Sequence, residues 1–129
     1  HSLTDSRFFP WIVRRHGFPM LYEQFLTNMV DADLTDLVVP IAQTTSNAAE
    51  MLAHLKIRAD LIHIDAAHDY ASVLNDARSY WKLLNPGGTL IGDDYSWPGV
   101  IKAADQFAIE IGIPLTVAGP KWLIKRPGA

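Results

Sequence analysis

Three carboxylates and a histidine stand at the ends of two apolar runs, a spacing that suits a bound cation. The first run, Ile62-His63-Ile64, leads into Asp65-Ala66-Ala67-His68. The second, Thr89-Leu90-Ile91-Gly92, ends in Asp93-Asp94. Short apolar runs of this kind read as buried strands. As parallel neighbours they would bring Asp65, Asp93 and Asp94 to one sheet edge, where open α/β folds place ligands. Oxygen donors suit a hard divalent cation such as Mg²⁺. A cation bound to a hydroxyl oxygen lowers its pKa and orients it, and a histidine three residues beyond Asp65 can accept the proton near neutral pH. Blander readings stand beside these: Asp93-Asp94 as a turn and helix cap, His68 as a helix-terminal residue, and His63 as a packing or hydrogen-bonding residue inside its strand.

The elements that must position these residues follow from periodicity. Residues 4–19 read as a loop with a short helix at most. Pro19 is suited to open a helix carrying Leu21, Tyr22, Phe25, Leu26, Met29 and Val30 on one face. Leu37-Val38-Val39-Pro40-Ile41-Ala42 reads as a short strand in which Pro40 lacks a backbone donor. Ser46-Asn47 can cap a helix bearing Ala48, Met51, Leu52 and Leu55. Asp60 to Asp65 is the next strand, Tyr70 to Leu84 a helix, Asn85-Pro86-Gly87-Gly88 a stop, and Thr89 to Asp93 a strand. A helix after Trp97-Pro98-Gly99 and two strands joined at Gly119-Pro120 complete the series; the short joint suits a hairpin, so the last strand should run antiparallel. Alternating helices and strands predict an α/β fold with a mostly parallel sheet.

Composition bounds the function. The chain has 129 residues, enough for one domain, with 49% hydrophobic and 19% charged residues, so it can bury a core. A net charge of −3 without a Lys/Arg run argues against nucleic acid or an anionic membrane as partner. No apolar stretch approaches the ~20 residues of a membrane span. The absence of cysteine excludes disulfides and thiolate metal sites and is compatible with a reducing, cytoplasmic setting.

From Asp60 to Trp97 these features coincide: the acidic strand end with His68-Asp69-Tyr70, the joint Leu83-Leu84-Asn85-Pro86-Gly87-Gly88, and Thr89-Leu90-Ile91-Gly92-Asp93-Asp94-Tyr95. The stretch resembles the second half of a class I S-adenosylmethionine-dependent methyltransferase, and within that superfamily the metal-dependent O-methyltransferases of macrocin, cephalosporin-biosynthesis and catechol type. The resemblance covers roughly residues 20 to 126. It implies a Rossmann-like three-layer fold and an O-methyltransferase acting on a small hydroxylated metabolite with S-adenosylmethionine and Mg²⁺. It also implies that Asp65, Asp93 and Asp94 hold the metal and His68 is the general base. Thr45, Ser46, Asp65 and Ala66 would lie along the methyl donor, on the adenine side. The acceptor pocket would draw on residues 1–20 and on Tyr95 to Gly99, where Trp97 would meet substrate.

Relatives of this kind begin with a strand and a glycine-rich loop that cradles the donor. Nothing before Leu37 has that pattern, and Gly17 is the only early glycine. The chain therefore reads as a single, N-terminally truncated methyltransferase domain over residues 1–129, with an open strand edge at Asp60 to Asp65 that favours a homo-oligomer and weak donor binding by this chain alone. Two alternatives remain: a non-catalytic Rossmann-like module for oligomerisation or partner binding, and a metal-dependent hydrolase using the same carboxylates.

Overall fold

The computed structural model describes residues 12–129. The chain divides into two compact units, His1–Ala42 and Gln43–Ala129. Residues 4–11, including Trp11, lie outside the described part. In the first unit, β1 (Arg14–Arg15) and β2 (Phe18–Pro19) form a small antiparallel hairpin, with α1 (Leu21–Asp31) after it. Pro19 thus ends a strand instead of opening the helix. Residues 37–42 form no strand. No described strand pairs with them, Pro40 lacks an amide to donate, and Leu37 and Val39 are about four-fifths exposed (80% and 81%).

The second unit runs α2 (Thr45–His54), β3 (Ala59–Ile64), α3 (Tyr70–Trp81), β4 (Leu84–Gly92), α4 (Pro98–Ile111), β5 (Thr116–Ala118) and β6 (Lys121–Lys125). Helix α2 is capped two residues earlier than Ser46 would do it: the Thr44 hydroxyl accepts the Asn47 amide at 3.2 Å. The sheet order is β3-β4-β6-β5. β3 and β4 are parallel, and β6 is antiparallel to both β4 and β5, so three strands share one direction and the last opposes them. This is the expected α/β sheet, with β3 at one edge among the described strands.

Alternation along the central strands builds the core. Ile64, Leu90, Trp122 and Ile124 are buried together with Val73, Leu74 and Ala77 of α3 and with Val100, Ala103, Ala104 and Phe107 of α4. Burying each large aliphatic or aromatic side chain contributes roughly 1.5–3 kcal/mol. Trp81 meets Phe107 edge to face at 5.7 Å. Arg78 forks onto Glu110 through two hydrogen bonds of 2.9 and 2.6 Å, tying α3 to α4.

The stop at Asn85-Pro86-Gly87-Gly88 is built into β4. Ala59 pairs with Leu84 but Leu61 pairs with Thr89, so these residues loop out of the ladder. From Leu61 onward the register is regular and ends with Ile64 opposite Gly92. Because the strands are parallel, both acidic segments leave the sheet at the same edge.

Candidate metal and donor site

Asp65 follows the last residue of β3, and two more residues bring the chain to His68. Asp69 then caps α3, its Oδ1 accepting the Ser72 amide at 3.0 Å, and that bond holds its carboxyl below the usual range. On the neighbouring strand the Asp93 amide donates to the Ile64 carbonyl at 3.0 Å, extending the parallel ladder one step beyond β4. Asp94 then turns into the left-handed region at φ 59°. The chain closes on itself there, with the Trp97 amide on the Asp94 carbonyl at 3.0 Å.

This turn points Asp94 toward the β3 side. Ligand atoms of Asp65, His68 and Asp94 all lie within 4.8 Å of one another. His68 Nε2 is 2.6 Å from Asp94 Oδ2, and the imidazole stacks on Trp97 at 4.7 Å and 18°. Two glycines make the packing possible. A Cβ on Gly92 would fall 2.0–2.2 Å from the Trp122 ring, and one on Gly99 would fall 2.4 Å from the His68 carbonyl oxygen. Under the cluster is a small cavity of about 10 Å³, lined by Asp65, His68, Asp94 and Trp122 among others. It is about large enough for one water. The buried Trp122 indole N–H has no hydrogen-bond partner, so a water there would satisfy it.

Asp93 is placed differently. One of its oxygens takes the Lys121 ammonium and the other accepts the Asp94 amide at 2.8 Å. Lys121, and after it the Asp94 amide, hold the Asp93 carboxyl below its ordinary range. Lys121 Nζ also lies 3.2 Å from His63 Nε2, so His63 is an exposed polar contact of β3. Beyond the turn, the Tyr95 hydroxyl donates to Asp105 Oδ1 at 2.6 Å, which with burial raises the phenol to about 12.

The carboxylates of Asp65 and Asp94 could hold one divalent cation, with the His68 imidazole beside it. Oxygen ligands sit at ~2.0–2.6 Å from Mg²⁺ or Ca²⁺, so ligands on opposite sides of an ion stand at about the 4.8 Å within which these atoms lie.

A second cavity of about 260 Å³ opens beside the cluster, lined by Thr45, Ile64, Asp65, Ala66, Asp76 and Tyr80 among others. Of the four residues expected along the donor, Thr45, Asp65 and Ala66 meet here. Ser46 does not line this cavity, and its hydroxyl accepts Asn75 Nδ2 at 3.2 Å. Asp76 is 4% exposed. Burial raises its carboxyl above the usual range, with the Thr45 hydrogen bond opposing. The Tyr80 hydroxyl donates to the Thr45 carbonyl at 2.9 Å, fixing the start of α2. Sequence reasoning singled out neither Asp76 nor Lys121. Asp76 had a signal, a carboxylate on the apolar stripe of Val73, Ala77 and Tyr80. Lys121 had none, because only the β4–β6 register brings it to Asp93.

Residues 9–95 match the profile of a family described as a methyltransferase domain. Among curated proteins, an uncharacterised protein of Acanthamoeba polyphaga mimivirus is 38% identical over 56 residues, covering 40% of this chain and 25% of that one. Among solved structures, the fold is similar to CalS11, a TDP-rhamnose 3'-O-methyltransferase of calicheamicin biosynthesis, with TM-score 0.59 and 17% identity over 81% of this chain and 51% of that chain. An O-methyltransferase family protein from Burkholderia thailandensis gives TM-score 0.58 and 15% identity, over 87% and 42% respectively. The chain spans about half the length of the first of these structures and less of the second.

Proposed function

The chain belongs to the methyltransferase domain family, and on that basis we propose that it supplies the metal-binding and acceptor side of an S-adenosylmethionine-dependent O-methyltransferase. The observation that carries this reading is the convergence of Asp65, His68 and Asp94 at the shared edge of two parallel strands. The substrate class is a small molecule with a reactive hydroxyl.

A divalent cation held by Asp65 and Asp94 would supply Lewis acidity toward the acceptor oxygen. His68 takes the hydroxyl proton, and the carboxylate of Asp94, 2.6 Å away, stabilises the imidazolium that results. Trp97, stacked on the ring, keeps the imidazole in plane and covers one face from water. The acceptor oxygen forms a bond to the methyl carbon as the carbon–sulfur bond breaks, and the sulfur leaves with the electron pair. Such a displacement gains most from holding oxygen, carbon and sulfur in line. The cavity at Thr45, Asp65 and Ala66 is the donor side of this arrangement, and Asp76 and Tyr80 shape its far wall.

Methyl transfer to a panel of hydroxylated small molecules, in Mg²⁺ and then in EDTA, tests the reading. Activity should vanish in EDTA and return with Mg²⁺, and His68→Ala should lower it by about 10²–10⁴-fold, the usual worth of a general base. Activity indifferent to EDTA would refute the metal-assisted mechanism. Absence of transfer under every condition would favour a non-catalytic binding module.

A further inference from the structure

The two adjacent aspartates at the end of β4 have different surroundings, although the sequence presents them as a pair. Asp94 points to Asp65 and His68. Asp93 has both oxygens engaged elsewhere, one on Lys121 and the other on the Asp94 amide. Lys121 opens β6, one step beyond the pairing of Gly92 with Trp122, so the sheet itself sets the ammonium beside Asp93. His63 of β3 is its second neighbour at 3.2 Å. We propose that Asp93 and Lys121 form a charge-neutral strut that positions Asp94 and that Asp93 is not a ligand of the cation. This rests on the metal-site reading of Asp65 and Asp94.

The physical argument has two parts. Asp94 occupies φ 59°, a region that non-glycine residues enter at a cost. The Asp93 carboxylate repays part of that cost by accepting the Asp94 amide in this conformation. A bare second carboxylate beside the cluster would also add charge, and Lys121 cancels it. The cation then meets the two carboxylates of Asp65 and Asp94. To ligate the ion, Asp93 would have to give up an ammonium and leave that positive charge unpaired next to a divalent cation, which Coulomb repulsion opposes.

Mg²⁺ calorimetry on three proteins separates the roles. Asp93→Asn keeps an oxygen that can accept the Asp94 amide but strands the Lys121 charge, so Mg²⁺ should bind about 10- to 100-fold more weakly, as for other outer partners of a metal site. Adding Lys121→Met removes the stranded charge and keeps the apolar stem, and the double variant should return to within about threefold of wild type. A strut predicts that rescue. If Asp93 were a ligand, the double variant would stay as weak as Asp93→Asn, and that result overturns the proposal. The wild-type chain gives a check that needs no variant. In side-chain ¹³C spectra, Mg²⁺ should move the Asp65 and Asp94 carboxyl signals well beyond that of Asp93; an Asp93 shift as large as that of Asp94 overturns the strut. Failure of the wild-type chain to bind Mg²⁺ would remove the metal-site reading and the strut together. Binding without rescue removes the strut alone.

Discussion

At the scale of single residues, the site depends on which way each carboxylate faces. That Asp65 and Asp94 meet at one sheet edge was legible, because a parallel strand pair fixes where its ends go. The different surroundings of Asp93 and Asp94 were not, because they depend on a backbone turn at φ 59° and on Lys121, 28 positions downstream. Asp76 was legible only as an anomaly, an acid on an apolar helix face. Tyr95 offers a test of local geometry beside the site. Its hydroxyl donates to Asp105, and only the neutral phenol can do so. Its pKa in the folded protein is therefore raised to about 12, above the ~10 of an unfolded chain. The stabilisation is fully present below pH ~10 and is lost as pH rises toward 12. An ultraviolet titration should find one tyrosine ionising near pH 12, and Asp105→Asn should bring it down. Ionisation of every tyrosine near pH 10 would contradict the pairing.

At the scale of elements, the helices and most strands followed from periodicity because each has an apolar stripe of the right period. The exceptions share a cause, which is that the deciding contact lies elsewhere in the chain. Residues 37–42 have strand-like composition, but no described strand is their partner. The stretch from Leu84 to Gly88 has the composition of a helix end and turn. It enters β4 because Leu84 pairs with Ala59 and the four residues after it loop out. The Arg126 backbone amide donates to the Gly88 carbonyl at 2.8 Å and so helps to close that loop. The packing of β4 against β6 allows a sharp prediction. Gly92→Ala would place a methyl 2.0–2.2 Å from the ring of Trp122, which is 1% exposed and has no room to retreat. Overpacking of this kind costs about 1–3 kcal/mol. Urea denaturation should show that loss, and an unchanged midpoint would mean that Trp122 does not sit against Gly92.

At the scale of the whole chain, the described sheet has four strands with β3 at an edge, and the chain spans about half of the solved structures it resembles. Among the described residues no helix is long and apolar enough to cross a membrane. The described wall of the cavity proposed for the donor comes from α2, β3 with the two residues after it, and α3, and this stretch of chain carries no glycine-rich loop to close it. This stretch of chain should therefore bind S-adenosylmethionine more weakly than ~1 μM, an affinity worth about 8 kcal/mol. A calorimetric titration giving micromolar affinity would refute that. The proposed metal ligands, by contrast, all lie within Gln43–Ala129 and should bind the ion without the rest. The most direct measurement is Mg²⁺ calorimetry on the wild-type chain and on Asp94→Ala. The wild-type chain should bind one ion, and the variant should lose more than the roughly 10- to 100-fold that an outer partner costs. Equal Mg²⁺ affinity in the two proteins would contradict the account.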